Sequence, residues 1–201
     1  MPTDRLARQI EFLVQADKLK TIVRRTPLTD RSRLENSAEH SWHLGLAALI
    51  LSEYGPAGVD VPRVLELLAI HDLVEIDAGD TFAYDAAANV TKADRERAAA
   101  DRIFGLLPAD QSLRLRAAWD EFEAFETREA RFANALDRLQ ALLQNMQAGG
   151  GSWRDYHVTR QQVLRRMAPV QAVLPDVWPF VLDVVDRFCT MGAIAADAAP
   201  G

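Results

Sequence analysis

The chain has a single cysteine, Cys189. That excludes an internal disulfide and any cysteine-cluster metal site. Basic residues are not in surplus: 23 Lys+Arg stand against 29 Asp+Glu. This balance argues against binding polymeric nucleic acid, which usually calls for a basic excess. The longest apolar run, Leu44–Leu51, falls far short of the roughly 18 residues of a membrane span. The N-terminus lacks the charged start, apolar stretch and small-residue cleavage site of an export signal. The expectation is a soluble cytoplasmic protein with no membrane partner. Period-2 strands joined by hairpin turns, solenoid-length repeats, heptad seams and composition shifts are also missing.

What remains is helical periodicity. The chain has 201 residues, 49% of them hydrophobic, enough for one domain that buries roughly 70% of the surface its unfolded form exposes. The fold class expected is all-α, a compact single-domain helical bundle over 1–194 with a frayed tail over 195–201. A first helix is predicted from Asp4 to Lys20, with Leu6, Ile10, Leu13, Val14 and Leu19 as its apolar stripe, and an ordered loop over Thr21–Leu34. Asn36 and Glu39 have capping-box spacing for a helix to Tyr54, broken by Gly55, Pro56 and Gly58. Asp60 caps a helix to about Glu75, with Pro62 in its first turn. Ile76–Val90 reads as loop, and Thr91 and Asp94 start a helix to Phe104. Pro108 opens a helix to Phe125, and Thr127 caps a long one to Ala148. Gly149–Ser152 reads as a flexible connection. Helices at Thr159–Met167 and Pro175–Thr190 follow, their aromatic residues a possible homodimer surface.

Three places put histidine or carboxylate where burial is expected. His40 shares a helix face with Leu44, Ala47 and Leu51; alone, it reads as a core histidine bonded to a carbonyl. His71 and Asp72 sit in a stretch, Val64–Val74, in which seven of eleven residues are aliphatic, and Glu75 lies three residues past Asp72, so all three lean toward one region. Burying them costs several kcal/mol in order of magnitude unless something neutralises them. A hydrogen-bonded Asp–His pair and a divalent cation both would. The helix Thr127–Ala148 favours the cation. Its bulky stripe is Phe132, Ala135, Leu136, Leu139, Leu143 and Met146. The opposite stripe, Ala130, Ala133, Asp137, Ala141, Gln144 and Ala148, is mostly alanine where a solvated face would carry Lys and Glu. Asp137 is therefore expected to point inward and complete a set of two imidazoles and two carboxylates, suited to a first-row divalent metal.

His40, His71-Asp72 and Asp137 resemble the H…HD…D signature of the HD-domain phosphohydrolases. Leu-Lys-Thr-Ile-Val-Arg-Arg at 19–25, Glu-His-Ser at 39–41, His-Asp-x-x-Glu at 71–75 and Gly-Asp at 79–80 resemble its 5′-deoxynucleotidase branch, from about Leu19 to Asp137. The resemblance implies a helical domain hydrolysing deoxyribonucleoside 5′-monophosphates with one divalent metal ion (Mn, Co, Zn, Fe or Mg). It implies His40, His71, Asp72 and Asp137 as metal ligands, Glu75 as water-orienting acid, Asp80 as a second active-site carboxylate and Arg24 as a phosphate or substrate contact, with Arg25 a possible helper. The sequence departs from the branch at Arg25, where characterised members have tryptophan, and at Thr81–Asp85, where they have a proline-containing turn.

The expected function is a metal-dependent phosphoric monoester hydrolase whose partner is a small phosphate substrate, a nucleotide. Two alternatives stand beside it: hydrolysis of another phosphate ester, and a non-catalytic module that binds metal or nucleotide and regulates a partner. His43 reads as core or as support to His40, and His157 as a surface residue. Trp42, Trp119, Trp153 and Trp178 read as core and interface anchors.

Overall fold

The computed structural model describes residues 4–197. Its helices are α1 (Asp4–Ala16), α2 (Ser37–Ile50), α3 (Val61–Ile70), α4 (Glu75–Ala78), α5 (Ala86–Asn89), α6 (Lys92–Gly105), α7 (Ala109–Ala124), α8 (Arg128–Gln147), α9 (Gly151–Asp155), α10 (Arg160–Val173) and α11 (Trp178–Thr190). One small antiparallel pair, β1 (Val23–Pro27) and β2 (Leu34–Asn36), lies between α1 and α2. Among the described residues no helix is long and apolar enough to cross a membrane.

The helix starts follow local chemistry. Asn36 Oδ1 accepts from the Ala38 and Glu39 amides while Glu39 reaches back to the Asn36 N–H, a complete capping box. Asp60 caps α3, Thr127 caps α8, and Thr159 with Gln162 closes a second capping box on α10. Thr91 makes no such cap on α6. Asp85 instead caps α5, inside the segment expected to be loop.

The long α8 forms the axis of the molecule and packs against α10, α3, α2 and α7. Both stripes expected from the sequence are used: Phe132, Ala135, Leu136 and Leu139 are buried on one side, Ala130, Ala133 and Gln144 on the other. Leu44, Ala48, Val64, Leu67 and Leu68 of α2 and α3 belong to the same core, each fully buried. Burying the leucines and Val64 among them stabilises the fold by about 1.5–3 kcal/mol apiece.

Several expectations are corrected. The predicted loop over 21–34 contains β1, and β2 completes the pair across a tight connection in which the Leu28 amide donates to the Arg33 carbonyl, 2.9 Å away. These strands are too short and too charged to show a period. The first helix stops at Ala16, and Asp17–Thr21 tightens into a 3-10 turn. Of its stripe only Leu19 is buried; Leu6, Ile10, Leu13 and Val14 are exposed, and the helix is anchored by Phe12. The helix expected to run to Glu75 breaks at Ile70 into a 3-10 turn, His71–Val74, before α4 resumes. The glycine run is not a flexible tether. Gly149, Gly150 and Gly151 all have positive φ, and Gly151, Ser152 and Trp153 are buried.

Large exposed apolar residues gather on α1 and on α2, as Trp42, Leu46, Leu49 and Ile50. The C-terminal α11 turns Val181, Val184, Val185 and Phe188 inward. In the segment expected to fray, the Ala195 amide donates to the Val158 carbonyl and Asp197 accepts from the Gln161 amide; residues 198–201 lie outside the described ones.

Candidate active site

The capping box sets where α2 begins, and so where His40 points. Its ring is fully buried: Nδ1 lies 3.0 Å from Gln140 Oε1, and Nε2 lies 3.1 Å from Asp137 Oδ1. The 3-10 turn after α3 swings His71 and Asp72 toward it, bringing the two imidazole centroids to 5.7 Å. His71 Nδ1 donates to the Leu68 carbonyl at 2.9 Å. This bond fixes the tautomer and leaves the Nε2 lone pair free. That nitrogen is buried without a hydrogen-bond partner, 3.1 Å from Asp72 Oδ1. A buried acceptor with no donor costs about 1–3 kcal/mol, which a cation would offset.

His40, His71 and Asp72 each offer a ligand atom within 4.8 Å of the others, a nitrogen–oxygen donor set that fits a first-row divalent metal. Asp137 stands beside this trio rather than inside it. Its Oδ1 meets His40, while its Oδ2 lies 3.2 Å from Arg166 and 3.6 Å from Arg138. It faces inward as expected, its side chain only 13% exposed. Burial alone would raise its pKa, but the His40 hydrogen bond and the Arg166 charge outweigh that and hold it well below the carboxylate range. For His40, burial and the Arg24 charge lower the pKa, but the bonds to Asp137 and Glu35 prevail and push it up to about 9.

Glu75, at the start of α4, is buried and accepts a 2.6 Å hydrogen bond from Ser37 Oγ. Burial and the neighbouring Asp72 raise its pKa well above the ordinary value. Asp80 is raised too, mainly by burial, against the pull of Arg24. Arg24 lies between these acids: its NH1 is 3.1 Å from Asp72 Oδ2 and 3.9 Å from Asp80 Oδ1. Consecutive strand residues face opposite ways, so Arg25 is exposed and donates to the Tyr156 hydroxyl at 3.3 Å.

A cavity of about 100 Å³ opens onto Asp72, Glu75, Asp80 and Asp137, with Arg24, Lys92, Arg138 and Arg166 around it. Burial and the like charge of Arg166 lower Arg138 to about 10. A second cavity, about 350 Å³, reaches His71 and Asp72 past Glu96 and Glu123.

Sequence reasoning missed the groups that hold this set in place. Glu35 is 2% exposed. Its Oε1 accepts from Gln140 Nε2 at 2.8 Å and Gln144 Nε2 at 2.6 Å, while its Oε2 faces Arg24 Nε at 3.4 Å and His40 Nδ1 at 3.5 Å. The one available signal was its place immediately before the Asn36 cap. Arg166 and Lys92 sit on helices with no local sign of a site. His43 lies 3.2 Å from Gln140 Nε2, in support of His40, and His157 is exposed. Trp119 and Trp153 are buried, whereas Trp42 is 68% exposed and anchors no core.

Residues 16–178 match the HD domain family model, and the chain belongs to that family. It is similar to 5′-deoxynucleotidase HDDC2 of Homo sapiens, 29% identical over 137 residues that cover 67% of this chain and 65% of the human protein. The Xenopus laevis protein of the same name is 26% identical over 140 residues, covering 67% and 68%. The chain thus spans about two thirds of these relatives' length. Among solved structures, a predicted metal-dependent phosphohydrolase from Magnetospirillum magnetotacticum is 50% identical, with a TM-score of 0.91 over 95% of this chain and 96% of that one.

Proposed function

We propose that the protein is a divalent-metal-dependent phosphohydrolase that removes phosphate from a nucleoside 5′-monophosphate. The observation that carries this reading is the buried, partnerless Nε2 of His71, facing Asp72 and His40 beside a cavity ringed with cations. The names of the similar proteins support the reaction class and the nucleotide substrate. His40, His71, Asp72 and Asp137 would hold one divalent ion. When bound, such an ion lowers the pKa of water toward neutrality and polarises a phosphoryl oxygen.

The chain's own groups do the rest. Arg24, Lys92, Arg138 and Arg166 neutralise and orient the phosphate dianion, and most of the acceleration of phosphoryl transfer comes from such positioning and charge balance. Glu75, steadied by Ser37, aligns the attacking water and takes its proton. A new P–O bond forms to that water oxygen as the ester P–O bond breaks, and the leaving alkoxide takes a proton from Asp80. The products are inorganic phosphate and the free nucleoside.

The test loads metal-stripped protein with Mn²⁺, Co²⁺, Zn²⁺, Fe²⁺ or Mg²⁺ and measures phosphate release from a panel of nucleotides. Release that disappears in Asp72→Ala and Glu75→Ala is expected. Undiminished release in either variant overturns the roles. Nucleotide binding without turnover under every metal would favour a regulatory module instead.

A further inference from the structure

Beside the site lies a wider cavity of about 610 Å³ that shares Arg25, Asp80, Thr81, Phe82 and Tyr84 with it. Its distinctive feature is a cluster of rings. The Phe82 centroid is 4.6 Å from Tyr156 and 5.3 Å from Tyr84. Tyr84 also packs on the hydrophobic core, but Phe82 and Tyr156 do not belong to it. Tyr156 stays 44% exposed. Two aromatic side chains held against each other outside the core, at the mouth of a cavity, offer faces to a flat ligand.

The loop that carries Phe82 and Tyr84 is preorganised. Asn89 Nδ2 donates to the Phe82 carbonyl at 3.2 Å and to the Asp85 carbonyl, and Asp85 caps the short α5. Arg95 ties the loop to the body through the Ala78 carbonyl and Thr81 Oγ1. On the opposite wall Arg25 holds the Tyr156 hydroxyl. The rim beyond the rings is polar, with Asp85, His157, Thr159 and Gln162. Asp85, Thr159 and Gln162 already hold helix caps, and a purely apolar ligand would waste the hydrogen-bonding capacity they and His157 still offer the cavity. A flat ring with hydrogen-bonding edges would use it. The volume lies in the range of small-molecule sites and exceeds what a sugar phosphate alone requires.

We infer that this cavity is the leaving-group subsite, and that it takes a planar heteroaromatic ring, a nucleobase, against Phe82 and Tyr156 with Arg25 at its edge. The inference rests on the phosphohydrolase reading and adds what lies beyond the scissile bond. It also places Asp80, which lines both cavities, next to the departing oxygen.

The experiment compares kcat/KM for deoxynucleoside 5′-monophosphates with kcat/KM for deoxyribose 5-phosphate, which has no base. It uses the metal-loaded wild type, Phe82→Ala and Tyr156→Ala, the last at a half-exposed position where folding is least at risk. Calorimetry with deoxynucleoside alone gives a reading independent of turnover. The wild type is expected to prefer the nucleotides, and each variant to reduce that preference about ten-fold or more, the scale of one base–aromatic stacking contact. Nucleoside binding is expected to weaken in parallel. Equal turnover of nucleotides and deoxyribose 5-phosphate by the wild type would overturn the subsite and leave the phosphohydrolase standing. Absence of turnover on every phosphate would overturn the phosphohydrolase; nucleoside binding that fails in the wild type, or survives both variants unchanged, would still overturn the subsite.

Discussion

Glu35 Oε2 stands 3.4 Å from Arg24 Nε, with both side chains almost wholly withdrawn from solvent. The carboxylate thereby joins two parts of the site: it aims Arg24 toward Asp72 and, through Gln140, steadies His40. Removing one partner of such a buried pair costs about 3–5 kcal/mol, because the other charge stays behind uncompensated. Glu35→Ala is expected to lower the urea midpoint by a corresponding amount and to weaken metal affinity in a competition assay. A variant with unchanged stability and metal affinity would show that Glu35 positions nothing.

Removing metal should destabilise the protein. A ligand that binds only the folded state, present at a hundred times its Kd, contributes about 2.7 kcal/mol. Chelation is therefore expected to lower Tm, and Mn²⁺ to restore it. Asp72→Asn and His71→Ala should lose the restoration. A Tm that ignores both chelator and metal in the wild type would contradict the site.

Arg166 donates to Asp137 at 3.2 Å and lines the smaller cavity, next to Arg138. A charge-assisted contact from an arginine to phosphate is among the stronger hydrogen bonds. Arg166→Gln is expected to weaken inhibition by inorganic phosphate roughly ten-fold, a loss of about 1.4 kcal/mol, and Arg166→Lys to recover part of it. An unchanged inhibition constant would remove Arg166 from the phosphate site.

Glu96 gives the stability curve a definite slope. Burial raises its pKa from the ordinary 4.5 to about 7, against the nearby Lys92. The folded state thus holds a proton that the unfolded chain has already released. The benefit is complete below about pH 4.5 and is lost as pH rises through 7, for as much as about 3 kcal/mol. Glu96→Gln should flatten the pH dependence of the unfolding free energy across that window. The same slope in wild type and variant would rule out this origin.

Gly151 has φ +39°, and an added Cβ would sit 2.5 Å from Asn145 Oδ1 and 3.0 Å from Pro27 Cγ. Asn145 Oδ1 is already engaged by the Ser152 amide and hydroxyl, so it cannot retreat freely. Gly151→Ala combines backbone strain with a clash and is expected to destabilise by about 2–4 kcal/mol in denaturant unfolding. An effect under about 0.5 kcal/mol would mean that the turn relaxes.

The main helices and the inward side of Asp137 were legible because their signals are local. Asn36 and Glu39, Asp60 and Thr127 mark helix starts within one turn, and an alanine stripe around Asp137 marks a helix with no solvated face. The glycine run was misread because composition cannot distinguish a tether from a buried turn of left-handed residues. The exposure of Leu6, Ile10, Leu13 and Val14 was invisible for a related reason: periodicity shows that a helix has an apolar face, not what meets it.

The amino-acid order alone determined that His40, the adjacent His71 and Asp72, and Asp137 ride on three separate, heavily buried helical segments, since capping and periodicity act over a few residues. Only the tertiary structure decided that Glu35 from β2 holds Arg24 and His40, that Arg166 from α10 faces Asp137, and that Phe82 meets Tyr156 across 74 positions of chain. Those relationships arise when packing around α8 closes long loops, and no short-range pattern in the chain encodes which distant side chains that closure brings together.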